Sequence, residues 1–508
     1  MKLKKTILVA VLLVKGDLMA IYDTQAIILA AGTSSRLNTG RSKLLEKICG
    51  REMVVYLTKL FEAMQIPTVA IVGFQKEVVQ EAIQQQHGDN VTFVTQDKQR
   101  GTGHALLCSK HTWNADSILV VNGDMPLITQ EIIDNLYKKH MQSRAAISIV
   151  LAHQADPSLG AYGRFVKTGD HVEIVEARDF KGDPAEHCFI NAGIYLIDRK
   201  FLEESISALQ QHENSKEFYI VDLVKIASKT SHVVETLVVP FDQVRGINTM
   251  EELWSVEQIK KAELIKHWMS KGVRFYATHN LHIDHDVTIG SGTYIGCGVH
   301  LLRGTHIGKN CKINESVSIY SSTIGDNVTV YPFSMIVDSI IGDNAQVGPF
   351  AHLRTNAHVG NGATVGNFVE VKNSNLGENT QVKHLSYLGD TTTGSGVNIG
   401  AGTITCNYDG FKKNVTTIKD NVFVGSNNTL VAPVTINKNS ITAAGSVITE
   451  DVPENTLAFG RARQINKIGY AQVIKERLKK DAETATQTAD KESQPFVAAR
   501  KSEHENTI

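Results

Sequence analysis

Hydrophobic positions along the chain follow two different rhythms. From residue 21 to about 250, apolar runs of strand length alternate with amphipathic stretches of helical period. Segments 26–30, 68–72, 91–95 and 117–122 predict buried strands, and 53–64, 76–85 and 130–141 predict helices. That alternation argues for βαβ units and a Rossmann-like, mostly parallel α/β sheet, which takes its ligands at the carboxyl ends of its strands. Residues 251–272 read as a charged amphipathic helix that links this half to the next. Beyond it an aliphatic residue recurs every six positions: Ile289, Ile295, Leu301, Ile307, Ile313 and Ile319. After a five-residue step the series resumes at Ile324, Val330 and Ile336, then runs from Ile341 to Val371, then to Leu376 and Val382. Glycine commonly follows the aliphatic residue, as at Gly290, Gly308 and Gly342. This period predicts a parallel β-helix of hexapeptide repeats, in which each aliphatic side chain stacks on its counterpart one coil away. The period lapses over 406–421, expected as an inserted loop, and returns at Leu430, Ile436 and Ile448. Past about 470 the chain is charged and poor in apolar residues, which predicts a disordered tail over 471–508.

Composition sharpens this division. Of 39 glycines, 22 fall in 281–460, where none of the three tryptophans lies. A chain of 508 residues exceeds one ordinary core. The expected parts are an extension (1–20), an α/β domain (21–250), a helical linker (251–272), a β-helix (273–470) and the tail. Lys plus Arg number 52 against 53 Asp plus Glu, so charge offers no case for nucleic acid or a membrane surface as the partner. Six scattered cysteines without a C-x-x-C pair argue against a disulfide framework or a structural zinc, and for a cytoplasmic setting. Lys2, Lys4, Lys5 and the apolar run 7–14 are similar to a secretory signal. However, the run is short, Lys15 and Asp17 follow it, and no A-x-A site appears; Met19 is an alternative start.

The first predicted strand runs into L-A-A-G-T-S-S-R (29–36), and Lys43 follows. A small-residue loop after a strand lets backbone N–H groups approach phosphate oxygens, whose charge Arg36 and Lys43 can neutralise. Gln96 and G-T-G-H (101–104) supply a second small-residue loop. In V-V-N-G-D-M-P-L (120–127) Asp124 leaves a buried strand, a place suited to a carboxylate ligand for Mg²⁺ on a triphosphate.

Taken in order, L-A-A-G…R…K, Q…G-T-G-H-A, G-D-x-P-L, Y-G-R, I-V-E, I-N-x-G-I and G-x-N resemble the nucleoside-triphosphate:sugar-1-phosphate nucleotidyltransferases. More narrowly, they resemble the amino-terminal half of the bacterial bifunctional N-acetylglucosamine-1-phosphate uridyltransferase/glucosamine-1-phosphate acetyltransferase family. The resemblance implies that Leu29, Ala30, Ala31, Gly32, Gln96, Gly101 and Thr102 hold the uracil and ribose of UTP, and Arg36 and Lys43 its phosphates. It places Asn122 and Gly123 among the UDP-sugar contacts, and Gly163, Glu176 and Asn191 on the acetylated sugar. Asp124 and Asn248 would hold Mg²⁺. The reaction, in-line attack of a sugar phosphate on an α-phosphorus, needs charge neutralisation and positioning more than a protein nucleophile. Departures from the family pattern are Ser34 and Ser35 in the loop, Ser42 where Pro is usual, and Ala192 and Val221 where Thr is common. The loop G-T-S-S-R is also similar to that of cytidylyltransferases of isoprenoid synthesis.

In the second half, H-L-S-Y-L-G-D (384–390) leaves the repeat phase, and a neutral imidazole there suits a base that takes a proton from an attacking amine. Arg354 and Lys372, eighteen residues apart, should lie one coil apart and face one phosphate. F-A-H-L-R (350–354), F-V-E-V-K (368–372) and V-N-I-G-A-G-T-I-T-C-N-Y-D-G (397–410) resemble the acetyltransferase half of the same family closely. The resemblance implies a left-handed β-helix packed as a homotrimer. His384 would be the general base, with Arg354, Lys372, Tyr387 and Asn398 on glucosamine-1-phosphate. Ala401, Asn407, Tyr408, Ser426, Ala444 and Arg461 would line the acetyl-CoA site. The activity implied is acetyl transfer followed by uridylyl transfer, giving UDP-N-acetylglucosamine for cell-wall precursors. A nucleotidyltransferase with a merely regulatory β-helix is the alternative, against which His384 and Asn407-Tyr408 argue.

Overall fold

The computed structural model describes residues 23–33, 37, 40–153, 162–183 and 187–492. The N-terminal extension and the loop residues Ser34, Ser35 and Arg36 lie outside the described residues. The α/β half opens with β1 (Thr24–Ala30), α1 (Met53–Ala63), β2 (Thr68–Val72), α2 (Lys76–His87) and β3 (Val91–Thr95). It continues with α3 (Thr102–Cys108), β4 (Ser117–Asn122), α4 (Gln130–Ser143), β5 (Ile147–His153), β6 (Arg164–Thr168) and β7 (His171–Val175). β8 (Phe189–Asp198), α5 (Arg199–Ser205), α6 (Asp222–Lys229) and β9 (Val234–Pro240) complete it.

The sheet runs β9-β5-β8-β4-β1-β2-β3. β1 pairs in parallel with β2 and β4, β2 with β3, and β9 with β5, while β8 is antiparallel to β4 and β5. Strands β1 and β4 are buried along both faces, as their unbroken aliphatic runs require of a sheet covered on both sides. The chain leaves β1 toward β2 on one side and meets β4 on the other, so a crevice opens where the carboxyl ends of β1 and β4 diverge.

Helix α7 (Met250–Ser270) starts at that crevice with a capping box: Thr249 Oγ1 accepts from Glu252 N (3.1 Å) and Glu252 Oε2 accepts from Thr249 N (2.9 Å). Leu253 and Val256 of α7 join the α/β core, whereas Ile265 joins the core of the second half. One helix thus ties the crevice to the base of the next domain.

From Arg274 to Ala458 the chain winds into a left-handed parallel β-helix whose three sheets hold 11, 10 and 9 short strands. Register explains the sequence period: a coil is 18 residues where three hexads follow one another (Arg354 over Lys372) and 17 where a five-residue step intervenes (Ser318 over Met335). The aliphatic positions form one buried column, with Ile295, Leu301, Ile307, Ile313 and Ile319 fully enclosed. Corners turn through left-handed residues, many of them asparagine (Asn310, Asn327, Asn344, Asn379), which tolerates that conformation better than most. The expected insertion is real: Thr391 sits over Thr416, an offset of 25 residues, and the excess forms a loop between Cys406 and Thr416.

The tail departs from expectation. Tyr470–Glu492 is a helix, α8, rather than disordered chain, and the rest of the expected tail, 493–508, lies outside the described residues. Lack of apolar residues denies it burial, yet its Lys, Glu, Arg, Ala and Gln are good helix formers and oppositely charged pairs recur at four-residue spacing, as in Lys479–Glu483.

Candidate active sites

The crevice above β1 and β4 is a cleft of about 430 Å³. Leu29, Ala31, Gly32, Lys43, Gln96, Gly101, Thr102, Asn122, Asp124, Gly163, Glu176, Asn191 and Asn248 all reach its wall. Ala30 and Gly123 do not. Successive strand residues point to opposite faces, and Ala30 turns into the core, while Gly123 is buried with its N–H donating to Leu29 O (2.9 Å). The cleft also takes in Gln99, Arg178, Tyr195, Glu217 and Tyr219, which sequence reasoning did not single out. Tyr219 lies two residues before the departure at Val221, but Arg178 and Glu217 carry no motif.

At one end of the cleft Lys43 Nζ donates to Asp124 Oδ2 (2.5 Å), Asn248 Oδ1 (2.9 Å) and Ile247 O (2.9 Å). Three oxygens, a carboxylate, an amide and a carbonyl, therefore converge on one cation, a donor set suited to a hard divalent ion. Asn248 is held there by the α7 cap, since its N–H donates to Glu252 Oε2 (2.6 Å). Ser42, the Pro replacement, has φ −62°, which proline also adopts, but its N–H donates to Gln75 Oε1 (2.8 Å), a bond proline cannot make.

The second small-residue loop is pinned to the strip before α6. Gly103 N donates to Phe218 O (2.8 Å), and Ile220 N donates to Thr102 Oγ1 (3.1 Å). Gly101 sits at φ +95°, with its missing Cβ position only 2.4 Å from Phe218 O, so no side chain fits there. Gln96 Nε2 donates to Gly101 O (3.1 Å), which fixes the amide at the cleft's inner wall.

At the other end a bulge in β8 between Asn191 and Tyr195 re-aims the strand, and Asn191 Nδ2 donates to Tyr195 Oη (2.6 Å). Burial pushes the Glu176 carboxyl above the usual range, with Arg178 opposing the shift. Ala192 lines the cleft, whereas Val221 is packed in the core away from it.

On the β-helix the singled-out residues occupy two successive edges of the prism. Along the first edge stands His384, at the end of the strand Gln381–His384. The turns carrying Ala401, Ser426 and Ala444 follow coil by coil, joined by Asn427 N to Ala401 O (2.6 Å) and Gly445 N to Ser426 O (2.8 Å). The missing Cβ of Gly445 would lie 3.8 Å from Arg461 Cδ. Asn398, a Cα partner of Gln381, begins the strand leading to Ala401.

Along the next edge Arg354 and Lys372 are Cα partners on adjacent coils, as their spacing predicted. Tyr387 is on the face between the two edges, paired with Glu370. Arg354 is bonded to Glu370 through Nε (2.8 Å) and Nη2 (2.7 Å) to the same oxygen. Lys413, from the inserted loop, crowds Lys372, and with burial and Arg354 it lowers the Lys372 ammonium below the usual lysine range. Sequence reasoning missed Lys413 because only the folded loop brings it to that edge.

Asp390 anchors the loop. Its carboxylate accepts from Asn373 Nδ2 (2.5 Å) and from Asn407 Nδ2, and its backbone oxygen accepts from Thr416 N (3.2 Å). Burial works against its charge, but those amides, with Lys372 and Lys413, hold the carboxyl below the usual range. Tyr408 is exposed, its hydroxyl donating to Gly410 O (2.7 Å).

Comparison with known proteins finds relatives of both halves of the chain. Residues 26–220 match the MobA-like NTP transferase domain family, and 277–357 the GMPPB C-terminal domain. The bifunctional protein GlmU of Thermosipho africanus is 40% identical over 459 residues, covering 87% of this chain and 95% of that protein. Those of Thermodesulfovibrio yellowstonii and Clostridium kluyveri are each 38% identical, with 98% and 99% of their lengths and 88% and 90% of this chain covered. With an α/β cleft at one end, a histidine-bearing β-helix at the other and full-length relatives across both, this chain belongs to the GlmU family of bifunctional proteins.

Proposed function

We propose that the chain is a bifunctional transferase of UDP-N-acetylglucosamine synthesis, feeding peptidoglycan and lipopolysaccharide precursors. The observation that carries this reading is the presence of two separate polar sites on one chain, each assembled from residues distant in sequence. The β-helix moves the acetyl group of acetyl-CoA to the amine of glucosamine-1-phosphate. His384 takes the amine proton, Arg354, Lys372 and Lys413 neutralise the phosphate, and Tyr387 and Asn398 line the same substrate. Ala401, Asn407, Tyr408, Ser426, Ala444 and Arg461 receive acetyl-CoA.

The α/β cleft then joins the acetylated sugar phosphate to UTP and releases pyrophosphate. Gln96, Gly101, Thr102 and the backbone of Leu29, Ala31 and Gly32 hold uracil and ribose, and Gly163, Glu176 and Asn191 hold the sugar. Lys43 neutralises phosphate charge in line with the attack. Mg²⁺ fits the oxygen set of Asp124 and Asn248, where it would supply further neutralisation of the triphosphate.

A homotrimer is favoured by a ridge of stacked rings on the His384 edge. Phe333, Phe350 and Phe368 lie 5.2 and 5.1 Å apart and are 58, 46 and 56% exposed; Leu385 continues the ridge. In one chain His384 and the phosphate-facing cations stand on different edges, so a second copy against the ridge would close the site. The substrates are intracellular metabolites, and among the described residues no helix is long and apolar enough to cross a membrane, which favours the cytoplasm.

The test is a single incubation with glucosamine-1-phosphate, acetyl-CoA, UTP and Mg²⁺, omitting each in turn. UDP-N-acetylglucosamine should form only in the complete mixture. Acetylation persisting without acetyl-CoA, or no product from the complete mixture, would overturn the reading.

A further inference from the structure

His384 does not stand alone on its edge. On its sheet the strands are two residues long at every coil except two, Thr364–Asn367 and Gln381–His384, which run four. Gly366 permits the extension, because a Cβ there would lie 1.9 Å from Lys383 O. The added residues put Asn367 and His384 in register as Cα partners, and Leu385 N closes the ladder on Asn367 O (3.0 Å). Across this pair His384 Nδ1 meets Asn367 Oδ1 at 2.7 Å. An amide oxygen only accepts, so the imidazole must carry its proton on Nδ1, leaving the Nε2 lone pair free to face outward. The backbone carbonyl of His384 is tied down as well, accepting from Ser386 Oγ (2.8 Å).

We propose that Asn367 is a positioning residue for acetyl transfer: by accepting from Nδ1 it selects the tautomer and ring orientation that make Nε2 the proton acceptor. The inference rests on His384 being the base and goes beyond it by naming the group that prepares it. The opposite amide orientation would donate to Nδ1, place the proton on Nε2 and leave no base facing the amine. A short hydrogen bond from the folded scaffold thus does what bulk water cannot, which is to hold one tautomer of an exposed ring.

The experiment uses the full chain with Asn367→Leu, which keeps the size and removes the acceptor, and Asn367→Asp, which keeps an acceptor. Acetyl transfer by Asn367→Leu should lose about 10- to 100-fold in kcat, with both KM values within about twofold of the parent. Asn367→Asp should recover most of the loss, and uridylyl transfer should be unchanged in both, which reports an intact α/β half, while the unchanged KM values report an intact β-helix site. In ¹⁵N-histidine spectra, the signal absent from His384→Gln should show the Nδ1–H tautomer in the parent and lose it in Asn367→Leu. Parental kcat in Asn367→Leu, or an Nε2–H tautomer in the parent, would overturn the proposal. Parental acetyl transfer by His384→Ala would instead overturn the reading of His384 as the base.

Discussion

Lys372 is a residue whose charge depends on its neighbours. Lys413, burial and Arg354 lower its ammonium, with Asp390 partly offsetting them, so it loses its proton at a pH below the ordinary lysine range. Affinity for a sugar phosphate should therefore weaken on the alkaline side earlier than an isolated lysine would predict. Lys413→Met removes the largest cause. It should move that alkaline limb to higher pH while raising KM for glucosamine-1-phosphate about tenfold at neutral pH, as read from KM against pH. Asp390 works in the opposite sense. Its carboxyl is held below the ordinary value, so its contribution to loop anchoring is complete above about pH 3.9 and is lost as pH falls through the lower folded value. Asp390→Ala leaves Asn373 and Asn407 without their acceptor. It should expose the loop between Cys406 and Thr416 to limited proteolysis at neutral pH, where the parent loop resists.

At the scale of elements, the cap of α7 does two things. It starts the helix and it presents Asn248 beside Lys43 and Asp124. Thr249→Ala should cost about 1 kcal/mol of stability in denaturant unfolding of the α/β half and weaken uridylyl transfer, with acetyl transfer unaffected. Elements built on strong periodicity were legible from sequence. Thr68–Val72, Val91–Thr95 and Ser117–Asn122 fall where apolar runs predicted strands, and the hexads map onto coils of 17 and 18 residues. Helix α8 was not legible, because the apolar deficit that argued for disorder says nothing about local helix propensity. Nor could Asn367 and Lys413 be read, since each matters only through a partner brought close by folding, one by an extended strand and the other by a loop. Arg178 and Glu217 reach the cleft in the same way, from segments without motif.

The whole molecule divides its labour along α7, whose two ends belong to different cores. The ridge of Phe333, Phe350 and Phe368 lies only on the β-helix, so self-association should matter to one activity alone. Phe350→Lys should shift the assembly toward monomer in sedimentation and reduce acetyl transfer sharply, while uridylyl transfer from supplied N-acetylglucosamine-1-phosphate persists. The central claim, two independent sites acting in sequence, is tested most directly by pairing His384→Ala with Asp124→Ala. Each variant alone, given glucosamine-1-phosphate, acetyl-CoA, UTP and Mg²⁺, should make almost no UDP-N-acetylglucosamine, and an equal mixture of the two should make it readily. Full product from either variant alone, or none from the mixture, would contradict the account.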